Sequence, residues 1–106
     1  MTKFEFETKT KCLTCILDQR LDTQSCVGLE ESIRLEMAKN HPGDDFLELK
    51  VTFDMKQVDY VSSAFLRICV VVAKMVKKGN FSISNTNPFV KKTFKIAGFD
   101  NIFTIS

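Results

Sequence analysis

Between residues 3 and 105 the apolar positions switch repeatedly between a two-residue and a three-to-four-residue period, and this alternation constrains the fold more than any single motif. Phe4 and Phe6 alternate with Lys3, Glu5 and Glu7, and Cys12 to Leu17 is a mostly apolar β segment. The first twenty residues therefore read as two strands with a turn near Thr8 to Lys11. Cys26, Leu29, Ile33 and Met37 then recur at three and four residues, a helix face for which Asp22 offers an N-cap and which ends before His41-Pro42-Gly43. Phe46 to Phe53 alternates again, a strand with one side more buried than the other. A second helix is expected from about Ser63 to Lys78, with Gly79 in the C′ position after it. Phe81 to Ser84 reads as a short strand. Asn87-Pro88 then supplies a cap and an N1 proline for a third helix. That helix is expected to turn Phe89, Val90, Thr93, Phe94 and Ala97 inward and Lys91, Lys92 and Lys95 outward, and to stop at Gly98. Ile102 to Ile105 is a last strand or extended tail.

Helices that alternate with strands can serve as crossovers between parallel strands. The expectation is an α/β domain, a mixed sheet of about five strands covered by three or four helices. With 106 residues, 44% of them hydrophobic, the chain suffices for one domain, residues 1–106, with a core that needs no disulfide or structural metal. The longest apolar run, Ile68 to Ala73, falls far short of the roughly 20 residues of a membrane helix, and MTKFEFETKT contains no apolar signal segment. No membrane insertion is expected, and the chain reads as cytoplasmic. A net charge of +2 is too small for an electrostatic footprint on nucleic acid. It conceals an asymmetry: residues 1–53 carry seven basic and ten acidic side chains, residues 54–106 eight and three.

Residue types that carry chemistry are few. Cys12 and Cys15 form a C-x-x-C, but within CLTCIL, a β-prone segment in which positions three apart face opposite sides. The redox use of that motif requires the start of a helix, and a metal site would need two more ligands, whereas Cys26, Cys69 and His41 are scattered without ligand spacing. Four buried, reduced cysteines are expected, in keeping with a cytosolic chain. His41 lies in NHPGDD, a turn composition, with no partner that would make it a catalytic base. Dinucleotide, P-loop and nucleophile-elbow motifs are all missing, so neither a catalytic residue nor a cofactor or metal is assigned. From the residues alone the reading is a small α/β binding or regulatory domain.

Val58-Asp59-Tyr60-Val61-Ser62-Ser63-Ala64-Phe65-Leu66-Arg67-Ile68 resembles the central motif of STAS domains, the family of bacterial anti-sigma factor antagonists. There an apolar strand end runs into D-S-S-G-L, or into Y-I-S-S-A-G-L-R, and then into a helix. Asp18-Gln19-Arg20-Leu21-Asp22 is similar to the family's L-x-G-x-L-D turn. Asn87-Pro88 with Val90, Phe94, Gly98-Phe99 and Phe103 is similar to its C-terminal pattern. The resemblance covers most of the chain and implies a single STAS-like domain. Family members that switch partners are phosphorylated by an anti-sigma factor serine kinase on the serine after the motif's Asp. Carried over, the Asp falls on Ser62 and the phosphorylatable serine on Ser63, with Ser62 the second choice. Ser62 would be the N-cap and Ser63 the first helical residue. The family glycines fall on Phe65 and Gln19.

A helical wheel puts Ser63 on the side of Arg67, Val70, Val71, Lys74 and Lys78, opposite Leu66, Cys69, Val72 and Val76. Asp22, Thr23, Ser62, Ser63, Arg67 and two exposed valines, Val70 and Val71, form the expected partner-binding surface. The implied function is a non-enzymatic regulator switched by phosphorylation of Ser63. Two alternatives stand beside it: a constitutive STAS scaffold or subunit of a signalling or lipid-transport assembly, and a thiol enzyme using Cys12 and Cys15.

Overall fold

The computed structural model describes residues 2–40 and 48–106. Strands β1 (Lys3–Glu7) and β2 (Cys12–Ile16) form an antiparallel hairpin that sets Phe4 opposite Cys15 and Phe6 opposite Leu13. The chain continues through a two-residue strand β3 (Arg20–Leu21), helix α1 (Leu29–Asn40), β4 (Lys50–Asp54) and a second two-residue strand β5 (Tyr60–Val61). Helix α2 (Ser63–Met75), β6 (Phe81–Ser84), helix α3 (Pro88–Ile96), a 3-10 turn at Phe99–Asn101 and β7 (Thr104–Ile105) complete it. The five-stranded sheet has the order β1-β2-β4-β6-β7 and is parallel apart from β1, while β3 and β5 pair with each other in parallel. The mixed five-stranded sheet and three α-helices are those the alternating periods predict. Strands β3 and β5 are additional to that reading.

The strand order advances in one direction from β2 to β7, and right-handed crossovers of that order deliver every helix to the same side. Burial agrees. Leu13, Cys15, Val51, Phe53, Phe81 and Ile83 are at most 3% exposed, whereas their alternate neighbours Thr14, Ile16, Thr52, Asp54 and Ser82 are only half-buried. The expected helical cover therefore lies over one face of the sheet. The open face carries hydroxyls, with Thr52 Oγ1 3.0 Å from Ser82 Oγ and 3.8 Å from the Cys12 sulfur.

Aromatic rings organise the core under the helices. Phe53 on the central strand meets Phe81 edge-on at 4.9 Å and Phe65 at 5.8 Å, and Phe65 in turn meets Phe94 of α3 at 6.5 Å. Phe65, in the first turn of α2, is fully buried. The ring that replaces a family glycine thus points into the core, and it leaves the outer surface of that turn clear.

Several local expectations are corrected. Asp22 does not cap α1. Gly28 at φ +80° interrupts the helical run, so Cys26 belongs to a turn, with its amide donating to Asp22 O, and the helix starts at Leu29. Helix α2 stops at Met75 rather than Lys78, because Val76 turns to an extended conformation (φ −116°, ψ 168°) that buries its side chain. Gly79 then sits in a separate turn closed by Asn80 N donating to Lys77 O. On α3 only Val90 and Phe94 are buried; Phe89 is 62% exposed and Ala97 is exposed as well, since the nine-residue helix offers the sheet a narrow stripe. The strand expected from Phe46 is seen as Lys50–Asp54, and residues 46–47, like the His41 turn, lie outside the described residues.

All four cysteines are free, but Cys12 is half-buried on the open face and not buried as expected. Cys15, on the opposite side of the same strand, has its thiol pushed up to about 12 by burial, with the Glu36 charge adding to it. Cys69 is raised well above the ordinary value, also by burial. These thiols stay protonated in the folded chain at pH values where an unfolded chain ionises, so stability present below about pH 9 falls as the pH rises toward 12. Alkaline denaturant titrations are expected to show that loss, and Cys15→Val to reduce it. In a native thiol-labelling time course Cys12 reacts first, and Cys15 and Cys69 react only on unfolding. Phe65→Ala, which removes the ring joining β4 to α3, is expected to cost about 3–5 kcal/mol in urea unfolding.

Candidate functional site

The two short strands build the site. With Arg20 opposite Tyr60 and Leu21 opposite Val61, the parallel β3–β5 pair ends its two chains side by side. Ser62 N donates to Leu21 O at 2.9 Å, so the residue after β5 is fixed to the last residue of β3. The Asp22 turn and the start of α2 therefore lie together at the carboxyl ends of parallel strands, where open α/β sheets place their functional residues. The pair is reinforced on its outer side. The Arg20 guanidinium lies 4.4 Å from the Tyr60 ring centroid, and its Nε is 3.4 Å from Asp22 Oδ2. Gln19, at the position of a family glycine, donates from Nε2 to Asp59 Oδ2 at 2.8 Å and accepts at its carbonyl from Asp59 N at 2.8 Å. The glutamine links the two loops.

Ser62 is the N-cap of α2, with extended backbone (φ −104°, ψ 171°) and its hydroxyl accepting from Phe65 N at 3.5 Å. Ser63 is the first helical residue, and it is exposed. Arg67, one turn further along the same side, is exposed too. Val70 and Val71 are half-buried, a correction to the exposed pair expected from the wheel: α2 buries Phe65, Ile68, Cys69 and Val72, a stripe wide enough to draw in both flanking valines.

Asp22 accepts from Ser25 N at 2.9 Å, and that amide chiefly holds its carboxyl below the usual carboxylate range, with Arg20 helping. Ser25 Oγ also donates to Arg20 O at 2.8 Å, so the turn is tied back to β3. Thr23, beside it, is exposed. Cys26 lies beneath. Burial raises its thiol pKa, partly offset by a hydrogen bond with the Ser62 hydroxyl, and the Asp22 charge raises it further. Sequence spacing assigns Cys26 to a helix face and misses its contact with the α2 cap. The two-residue β3 and β5 that create the contact leave no periodic signal.

The structure thus gathers Asp22, Thr23, Ser62, Ser63 and Arg67 at one end of the domain, with Val70 and Val71 further along α2. The arrangement can present a hydroxyl on a helix start, flanked by a fixed carboxylate and two guanidinium groups. Among the described residues no group of three or more His, Cys, Asp or Glu side chains is placed to hold a metal ion, and no helix is long and apolar enough to cross a membrane.

Comparison with known proteins bears on the family and the fold. Residues 3–106 match the STAS domain model. A Bordetella bronchiseptica relative named "Putative anti-sigma factor antagonist BtrV" is 36% identical over 61 residues, which is 56% of this chain and about half (53%) of the relative's length. The fold is similar to the anti-sigma factor antagonist SpoIIAA in its unphosphorylated form (TM-score 0.74, 12% identity, covering 100% of this chain and 88% of that one). It is also similar to SpoIIAA of Bacillus in its phosphorylated form (TM-score 0.62, 11% identity, 100% and 91%). An anti-sigma-factor antagonist (STAS) domain protein from Planctomyces limnophilus gives a TM-score of 0.74 at 18% identity, covering 99% and 87%. With a family match over residues 3–106 and a fold that agrees with it, the chain belongs to the STAS domain family.

Proposed function

We propose that the chain is a non-enzymatic anti-sigma factor antagonist of the cytoplasm that exchanges protein partners when an anti-sigma factor serine kinase phosphorylates Ser63. The observation that carries this reading is an exposed Ser63 at the first position of α2, behind a Ser62 whose hydroxyl is already engaged as the cap. A phosphate at that position meets free helix N–H groups and the positive end of the helix dipole, so the fold tolerates it. It adds about −1.5 to −2 charges to the surface formed by Asp22, Thr23, Ser62, Ser63, Arg67, Val70 and Val71. A partner that buries that surface without supplying cations then pays a desolvation penalty for the phosphate and is released. Ser62 is the poorer acceptor, being half-buried and committed to Phe65 N. A further support is the phosphorylated form in which SpoIIAA, a protein of similar fold, has been solved.

The experiment is incubation with the anti-sigma factor kinase and ATP, followed by peptide mass spectrometry. Phosphate is expected on Ser63, and Ser63→Ala is expected to abolish it; label on neither Ser63 nor Ser62 removes the switch. Ser63→Asp is expected to weaken binding to the kinase partner by roughly tenfold or more while unfolding stability stays within about 0.5 kcal/mol of wild type. Ser62→Ala does the reverse, losing about 0.5–1 kcal/mol of stability with its cap and keeping Ser63 labelling. A Ser63→Asp variant that binds as well as wild type favours a constitutive STAS scaffold.

A further inference from the structure

At the end of α2 remote from Ser63, the last helical turn, the turn closed by Asn80 and the segment after the 3-10 turn surround a cleft of about 530 Å³. Its floor is apolar, formed by Ala73, Val76, Phe81 and Phe103, and Ile102 stands on its rim 53% exposed. Lys74, Lys77 and Lys78 line it as well, all three exposed. Among the described residues none of these lysines forms an ion pair. Among the described residues no acidic side chain lines the cleft; Asp100 borders the neighbouring depression together with Lys78. An apolar floor beside three unpaired cations is complementary to an occupant with several anions and one apolar anchor. Phe81 and Phe103 are at most 9% exposed, so they offer no ring face on which a nucleic-acid base could stack. A single anionic head group could satisfy only part of a triad spread over residues 74 to 78.

We propose that this cleft docks an acidic, amphipathic peptide segment of a partner protein, with its carboxylates on Lys74, Lys77 and Lys78 and one large apolar side chain against Ala73 and Ile102. The cleft adjoins the Ser63 surface through Val70, which lines both, but its three lysines lie toward the opposite end of α2. Along α2 the rise from Ser63 to Lys74 is about 16 Å, longer than the screening length of about 10 Å at 0.1 M salt. A charge placed on Ser63 therefore leaves this second contact in place, and a partner held here stays tethered after the first surface has let go.

Fluorescence polarisation of the purified chain tests the proposal, using a labelled peptide in which a Leu-Phe pair is flanked by Asp and Glu. Binding is expected to weaken as salt rises and to be lost when Leu-Phe becomes Ser-Ser or when the acids become amides. Lys74→Glu with Lys78→Glu is expected to weaken it by roughly tenfold or more, and Ile102→Asp to weaken it too, whereas Ser63→Asp leaves it unchanged. The substituted positions are exposed, and circular dichroism verifies that each variant folds. The proposal is overturned if the peptide does not bind, if the lysine reversals have no effect, or if dodecyl phosphate or a single-stranded oligonucleotide competes at lower concentration than the unlabelled peptide. An affinity that changes with Ser63→Asp overturns the tether.

Discussion

The contact between Phe53 and Phe65 is the joint on which the rest of the structure turns. Phe53 stands on the middle strand of the sheet and Phe65 in the first turn of α2, with ring centroids 5.8 Å apart and both side chains fully buried. A helix start is ordinarily its least constrained part, because the first four N–H groups lack intrahelical partners. Here the first turn is pinned from below by an aromatic ring, held laterally by Ser62 N on Leu21 O, and capped by the Ser62 hydroxyl. The surface around Ser63 is accordingly rigid, and a chemical change at that surface need not disturb the packing beneath it.

The parts of this design that local periodicity encodes are legible in the sequence. Val90 and Phe94, Ile33 and Met37, and the alternation of Val51 with Phe53 identify their faces because each repeats at the spacing of its own element. The failures share a cause of another kind. Strands β3 and β5 are two residues each, stabilised by pairing with a segment some forty residues distant, and no window along the chain contains both partners. Asp22 looks like a helix cap because Cys26 continues a helical spacing, and only the left-handed backbone at Gly28 separates the turn from α1. Val76 keeps the helical register in sequence while leaving the helix in space. At position 89 a phenylalanine in a helix reads as core, yet the narrow buried stripe of α3 leaves it exposed.

Local motif and long-range pairing meet at the start of α2. The motif around Ser62-Ser63 supplies the likeness to STAS domains, and the β3–β5 pair explains why a second motif, forty residues earlier, belongs to the same surface. The departures from the family pattern also acquire reasons. Phe65 faces inward, and Gln19 closes a hydrogen-bonded bridge to Asp59. At each position where the resemblance implies a glycine, this chain has a side chain that supports the joint between the two loops.

The one-sided cover of the sheet has an evolutionary consequence. Along β2, β4 and β6 every second residue meets the helices and is held to a narrow volume, while the residues between them are mostly half-buried and answer to β propensity, to water and to a few polar contacts such as that of Thr52 with Ser82. Thr14, Thr52 and Ser82 can drift while Leu13, Phe53 and Ile83 stay fixed in size. The open-face strand positions are thus less constrained in size than the inward ones, so chains of this architecture can diverge widely in sequence while keeping the inward pattern. Identities of 11 to 18% at TM-scores of 0.62 to 0.74 are the expected mark of such drift.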